Sequence, residues 1–254
     1  MGSIQRPGAL YQQVAAEIRN AISAGEFPPG APLPSETQLI ERYKVSRPTV
    51  RNAIAALRSE GLIEVVHGKG SFVRPTPVPA LTIHRTITRH DSATYVLGHR
   101  WETAEPPQVY RTETTAATGP LLELGEGEAL VVADRILADP SAGTRALHRT
   151  LIPESVIKGT PLADMPDADP EKVYAELAAA GRDLTWTETV SARMPQPEER
   201  AALGISEATP VLRTVRVTYD GTARPIAAEE LLVDAALAQV AFRITAAEDA
   251  PAPS

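Results

Sequence analysis

Cysteine is absent from this chain of 254 residues, which excludes a disulfide framework and any thiol chemistry. No apolar run approaches the roughly 18 residues that a membrane-spanning helix needs, and no signal-peptide pattern opens the chain. A cytoplasmic protein with no membrane partner is the expectation. The five histidines, at positions 67, 84, 90, 99 and 148, show no metal-ligand spacing. No glycine-rich phosphate loop follows a strand, no acid–base pair stands out, and no internal repeat is visible. A metal, a cofactor and an enzymatic activity are therefore not expected.

What is present fits a globular protein: 43% of residues are hydrophobic and 22% charged. The length leaves room for two domains with separate cores. The net charge of −7 is unevenly distributed, because residues 1–75 carry +3 and residues 76–254 carry −10. This asymmetry suits a small domain that meets phosphates and a larger one that nucleic acid repels.

Val14, Ile18 and Ile22 recur at helical spacing and predict a first helix from about Leu10 to Ala24, stopped by Gly25. Pro28-Pro29-Gly30 makes a turn. Ser35-Glu36-Thr37-Gln38 is a capping box, in which the serine caps the helix start and Gln38 reaches back, and this second helix ends near Tyr43. Ser46 is the natural N-cap of a third helix running to about Glu60, with Val50, Ile54 and Leu57 as its buried stripe. After Gly61, the segments Ile63–His67 and Ser71–Arg74 read as two short strands around Gly68-Lys69-Gly70. Three helices followed by a tight hairpin make a winged helix-turn-helix, whose first candidate partner is double-stranded DNA.

The chemistry agrees with that order of elements. The start of the recognition helix enters the major groove in such folds. Arg47 and Arg51 stand one turn apart there, with Arg58 further along the same side. A guanidinium can donate two hydrogen bonds to guanine O6 and N7. Thr49 and the free backbone donors near Ser46 suit phosphate oxygens. Two glycines in the wing turn allow the backbone close to a groove edge.

The blocks Leu33-Pro34-Ser35-Glu36, Val45-Ser46-Arg47-Pro48-Thr49-Val50-Arg51, Glu60-Gly61-Leu62-Ile63 and Gly68-Lys69-Gly70-Ser71-Phe72-Val73 resemble the DNA-binding domain of the GntR family of bacterial transcription regulators. The resemblance implies that the wing tip enters the minor groove, where Lys69 supplies charge and His67 a hydrogen bond. Relatives often carry a basic residue after the Ser-Glu pair, where this chain has Thr37. The candidate DNA-contacting residues are Ser35, Thr37, Ser46, Arg47, Thr49, Arg51, Arg58, His67, Gly68, Lys69 and Gly70.

Residues 8–74 are thus expected to form the DNA-binding domain. Residues 75–80 hold proline at alternate positions from Pro75 and read as a semi-rigid linker. Residues 81–246 form the second domain. There, 129–137, 145–152, 184–193 and 211–219 read as strands, and 171–180 and 198–203 as helices. The fold class is α+β, an antiparallel sheet with helices.

This half is similar to the UTRA effector-binding domain of the HutC-type branch, itself similar in fold to chorismate lyase. The likeness rests on Arg135 before a turn near Asp139, on Leu151-Ile152-Pro153, on Tyr174 and Leu177, and on Ala202-Leu203-Gly204-Ile205. It continues through Pro210-Val211-Leu212-Arg213-Thr214-Val215-Arg216. It implies a small polar or acidic effector touched by Arg135, Tyr174 and Arg216, with His148 and Glu188 added from neighbouring strands. Arg216 is equally explained by pairing with an acid such as Glu188, and Tyr174 by core packing. Amino-sugar-phosphate readers of this branch share an Arg-x-Arg strand, a Glu after Pro-Ile and a later Tyr. Here the corresponding places are Asp134-Arg135-Ile136, Ala227 and Val233, which argues against a phosphosugar. The expectation is a homodimeric, ligand-responsive repressor. The alternatives are a constitutive repressor whose second domain only dimerises, and a lyase-like enzyme.

Overall fold

The computed structural model describes residues 10–66, 68–74, 79–91, 94–205 and 209–244. The chain divides into two compact units, Met1–Pro77 and Val78–Ser254.

In the first unit, α1 (Leu10–Ser23), α2 (Glu36–Tyr43) and α3 (Arg47–Ser59) precede the hairpin β1 (Ile63–Val66) and β2 (Gly70–Val73). α1 buries Val14, Ala15, Ile18 and Ala21, a stripe one turn wide. Ser35 caps α2 in the expected capping box, with its backbone N–H 2.8 Å from Gln38 Oε1. Ser46 caps α3 through its hydroxyl, and proline sits in the helix's first turn, where a missing N–H costs nothing. Val50, Ala53 and Leu57 of α3 are fully buried, whereas Ile54 is only half-buried at the margin. The stripe turns through Ala53, because the small side chain lets α3 lie close against α1. Gly61 takes φ +73°, which lets the chain reverse into β1.

β1 starts at Ile63 as expected and β2 lies one residue earlier than its sequence pattern suggests, pairing Val66 with Gly70 and Ile63 with Val73. A third piece of extended chain joins it: Leu33 N–H donates to Ser71 O (2.8 Å), and Val73 N–H to Ala31 O (2.9 Å). His67, at the turn, lies outside the described residues.

The second unit is built on a seven-stranded antiparallel sheet. β3 (Leu81–His84), β4 (Ile87–Arg89), β5 (Tyr95–Leu97), β6 (Glu102–Thr103) and β7 (Gln108–Glu113) lead into it. Its main strands are β8 (Ala129–Asp139), β9 (Thr144–Pro153), β10 (Thr185–Arg193), β11 (Val211–Tyr219) and β12 (Pro225–Asp234). The order is β10-β11-β12-β9-β8-β6, with β7 also on β8. A closing strand, β13 (Ala238–Ala241), pairs in parallel with β3.

One face of the sheet is covered by the short α4 (Glu154–Ile157), by α5 (Pro170–Ala179) and by the β3/β13 and β4/β5 pairs. Val173, Tyr174 and Leu177 of α5 pack on Val131, Ile152 and Ala227. Tyr95, Tyr174 and Trp186 meet edge to face there, with centroids 5.3–5.9 Å apart. The other face packs Leu203 of α6 (Pro197–Leu203) on Val211 and Leu232, and Leu122 on Val132, Leu151 and Val215.

The strand expectations correspond to β8, β9, β10 and β11 within about two residues at either end. Asp220-Gly221 reads as a hairpin signal between strand candidates, but the sequence pattern does not delimit β12, which lies in the middle of the sheet. Nor does it reveal the short strands between residues 81 and 113. Residues 75–78 of the expected linker, and residues 8–9 and 245–246 at the outer edges of the expected domains, lie outside the described residues.

Candidate functional sites: an exposed helix start and a buried polar cleft

On the first unit, the start of α3 presents its charges outward. The Arg47 and Arg51 side chains are 63% and 67% exposed, and both turn toward Glu36 at the start of α2. Arg51 Nε donates to Glu36 Oε1 at 3.1 Å, and Arg47 Nε stands 4.0 Å from Glu36 Oε2. Pairs this exposed contribute little, on the order of 0–1 kcal/mol. Glu36 therefore orients the two guanidinium groups at small cost to their release. Ser46 Oγ lies 2.8 Å from Thr49 Oγ1, so the cap and the threonine form one hydroxyl pair at the helix start. Ser35 and Thr37 are exposed on the neighbouring helix, and Arg58 is exposed two turns after Arg51.

At the wing, Gly68 and Gly70 take φ +74° and +112°, and a Cβ at either would meet nothing within 4 Å. These glycines are required by backbone conformation, and the space they leave is open to a partner. Lys69 between them is exposed. If this tip meets phosphate, Lys69→Ala should weaken binding about equally on all sequences and lower the salt-dependence slope by about one unit. An affinity series across salt concentrations measures this, and an unchanged slope would remove Lys69 from the interface.

The second unit buries a band of charge on the sheet face beneath α5. Cross-strand register aligns Ala133, Thr150, Glu229, Arg216 and Glu188 in one row across β8, β9, β12, β11 and β10. Arg135, His148, Leu231 and Thr214 form the adjacent row. Side chains facing the same side of antiparallel neighbours touch, so register alone brings these groups together.

Each charged group has an identifiable partner. Glu188 Oε2 accepts from Arg216 Nε (2.9 Å) and Nη2 (2.8 Å), and Glu188 Oε1 accepts from Arg85 Nε at 2.6 Å. Arg216 Nη2 also donates to the Arg85 carbonyl at 2.9 Å. Arg135 donates to Thr150 Oγ1 (3.0 Å), to the Asp167 carbonyl (3.0 Å) and to the Ala168 carbonyl. Glu229 accepts from the Tyr174 hydroxyl and lies 3.4 Å from His148 Nε2. His148 Nδ1 and Arg216 Nη1 are buried with no hydrogen-bond partner among the described residues.

The charges follow from these contacts. Burial pushes the Glu229 carboxyl up, but His148, Arg216 and Tyr174 outweigh it and hold the pKa at about 2. Burial pushes His148 down, more than Glu229 raises it, so the ring is neutral near pH 7. Burial also raises Tyr174 well above the usual phenol range, reinforced by Glu229, so its hydroxyl stays a donor. Burial opposes the Arg216 charge, but Tyr174, Glu229 and Glu188 outweigh it and raise its pKa. Because the carboxylate only accepts, the neutral imidazole carries its proton on Nε2 and leaves Nδ1 as an acceptor.

Both Glu229 and His148 make the fold sensitive to acid. The unfolded chain takes up a proton on histidine below the usual 6.5, which the buried ring resists. Stability should therefore begin to fall as pH drops through about 6.5. It should fall further from the ordinary carboxylate range down toward 2, where Glu229 finally protonates. Urea unfolding at pH 8 and pH 5 measures the first step, and a His148→Gln variant should lose part of it.

Arg135, His148, Arg216 and Glu229 line a cleft of about 300 Å³. Its remaining walls come from residues 84–86 and 97–103 on one side, and from Asp167, Asp169, Pro170 and Glu171 at the start of α5. Of the five residues expected to meet a ligand, three line this cleft. Tyr174 and Glu188 do not. Tyr174 is fully buried behind Glu229, and Glu188 is the counter-ion of Arg85 and Arg216, lining a separate open groove of about 970 Å³. The core and ion-pair readings of Tyr174 and of the Arg216–Glu188 pair are the ones the structure shows. The sequence pattern does not point to Glu229, Arg85, Arg100, His99 or Trp101 as cleft residues. Only the cross-strand register and the folding of residues 84–103 over the sheet bring them to the cleft.

Both halves match known families. The model of bacterial regulatory proteins of the gntR family matches residues 10–73, and the UTRA domain matches residues 143–236. An uncharacterized HTH-type transcriptional regulator of Streptomyces coelicolor is 30% identical over 230 residues, covering 84% of each chain. A solved structure described as a GntR-family transcriptional regulator superposes with a TM-score of 0.70 at 27% identity, over 94% of this chain and 99% of that one. The HTH-type transcriptional repressor NagR of Bacillus subtilis is 41% identical over 69 residues, 27% of this chain and 28% of that protein. Against several of the curated relatives, as against NagR, the match spans about a quarter of the relative's length. This chain belongs to the GntR family of bacterial transcription regulators, in the HutC-type branch that carries a UTRA domain.

Proposed function

We propose that this protein is a ligand-responsive repressor that binds a two-fold operator as a homodimer and is released or retuned by a small effector in the cleft of its second unit. Residues 8–74 are the DNA-binding domain, 75–80 the linker and 81–246 the effector and dimerisation domain. Ser35, Thr37, Ser46, Thr49 and the 67–70 wing contact the backbone and groove edges, while Arg47, Arg51 and Arg58 reach base edges or phosphates.

The observation that carries this reading is the cleft floor. Four charged or titratable side chains are buried around about 300 Å³ of space. Burying charge is expensive, and a domain that only dimerised would gain nothing from it. Its wall begins at His84, at the end of β3, which follows the expected linker directly in sequence. Repression is supported by the likeness to a protein named as a repressor. No helix among the described residues is long and apolar enough to cross a membrane.

The test is titration of an identified binder with and without operator DNA from the promoter beside its own gene. Coupling between two sites is reciprocal and typically about 1–3 kcal/mol, so the dissociation constants should differ by about 5–150-fold. Equal constants would leave the constitutive repressor standing. Dimerisation is tested separately. One winged helix reads only a few base pairs, and a two-fold operator needs paired copies about one helical turn apart. Sedimentation should show a dimer for the full chain and a monomer for a fragment ending at Arg74. A stable dimer of the fragment would place the interface in the first unit.

A further inference from the structure

Resting on that reading, we propose that the cleft takes a ligand of no net charge that donates an N–H or O–H hydrogen bond to His148, an amino-acid-like zwitterion being the form that uses both charges of its rim.

The charged groups lining the cleft balance. Arg85, Arg100, Arg135 and Arg216 stand against Asp167, Asp169, Glu171 and Glu229. Most of these are already engaged within the protein. Arg85 and Arg216 share Glu188, and Arg135 is held by Thr150 and two backbone carbonyls. Glu229 accepts from Tyr174, Asp169 caps α5 by accepting from Lys172 N–H (2.9 Å), and Glu171 accepts from Leu97 N–H (2.8 Å). Among the described residues, two ionic side chains lining the cleft remain for a ligand, the exposed Arg100 on one wall and the exposed Asp167 on the other.

The floor offers two further open atoms, His148 Nδ1 and the donor Nη1 of Arg216, which suits an acceptor such as one oxygen of the ligand's carboxylate. His148 is 7% exposed, its Nε2 faces Glu229, and its Nδ1 has no partner among the described residues. With the proton on Nε2, Nδ1 can only accept. A buried acceptor left unpaired costs about 1–3 kcal/mol, so a ligand donor there gains what the empty site lacks. A phosphate monoester or dicarboxylate would bring two negative charges into a balanced cleft, and Arg100 at the rim and the single open Nη1 of Arg216 would be left to meet them. It would also present acceptors to an acceptor. A zwitterion places its carboxylate at Arg100, its ammonium at Asp167 and a donor at His148.

The experiment is equilibrium dialysis of the full-length protein against a small-molecule extract of the cells that carry its gene, read by mass spectrometry. It is followed by thermal-shift titration with the free amino acids, uncharged hexoses, glucose 6-phosphate, citrate and inorganic phosphate. Enrichment of a net-neutral, donor-bearing compound that raises the melting temperature by several degrees is expected, with no rise from phosphate, glucose 6-phosphate or citrate. Arg100→Ala and Asp167→Asn lie at the exposed rim and should keep the fold while raising the dissociation constant about tenfold each. His148→Gln tests the floor in the same way. Enrichment of a phosphorylated or dicarboxylate compound overturns the proposal and leaves the ligand-responsive reading intact. So does a neutral compound whose affinity is indifferent to all three substitutions. Enrichment of nothing overturns the ligand-responsive reading itself, and the proposal with it.

Discussion

Replacing Glu188 by glutamine should destabilise the second unit by about 3–5 kcal/mol, the usual cost of removing one partner from a buried ion pair. The Glu188 side chain is 9% exposed and serves two guanidinium groups, those of Arg85 (10% exposed) and Arg216 (2%). Without it, Arg216 would face Glu229 across the row, and Arg85 would lose its one carboxylate contact among the described residues. The amide can accept from one arginine but compensates neither charge. Both tryptophans of the chain, Trp101 and Trp186, lie in this unit, so urea unfolding followed by tryptophan fluorescence reports on it alone. Adding Arg216→Met to Glu188→Gln should return part of the loss, because a buried cation is cheaper to remove than to leave unpaired. A cost below about 1 kcal/mol would mean that the pair behaves as a surface contact.

On the DNA side, Arg47→Ala or Arg51→Ala should each cost about 1–3 kcal/mol of specific operator binding and relax one base position. That is roughly 5–150-fold in affinity. Glu36→Gln separates orientation from contact. It removes the carboxylate between the two arginines without removing their donors, so it should change affinity far less than either alanine. Fluorescence anisotropy with operator variants measures both effects. If both alanine variants bound like the wild-type protein, α3 would not be the reading helix.

The difference between the two halves in how well their sequence can be read has a physical basis. The first unit is specified by short-range chemistry. Ser35 with Gln38, Ser46 with Thr49, and the positive-φ positions of Gly61, Gly68 and Gly70 are contacts or conformations spanning at most four residues. Such signals survive reading one residue at a time. The second unit depends on pairing across long separations. β12 contains Ala227-Ala228-Glu229-Glu230-Leu231-Leu232, residues of high helix propensity without alternation. Placed mid-sheet with both faces covered, nearly all of it is buried and the period-two pattern vanishes. Tertiary pairing overrides the local preference there.

The sequence by itself determined the three helices and wing, the exposed Arg47 and Arg51, the asymmetry of charge, and the presence of a strand-rich second half carrying Arg135, His148 and Arg216. Tertiary structure alone decided that Glu229 stands opposite Thr150 and Arg216, that Glu188 pairs with two arginines outside the cleft lining, and that Tyr174 lies behind the cleft instead of in it. Strand register sets the first two of these facts, and a shift of one residue would turn those strand side chains to the opposite face, whereas the packing of α5 on the sheet places Tyr174.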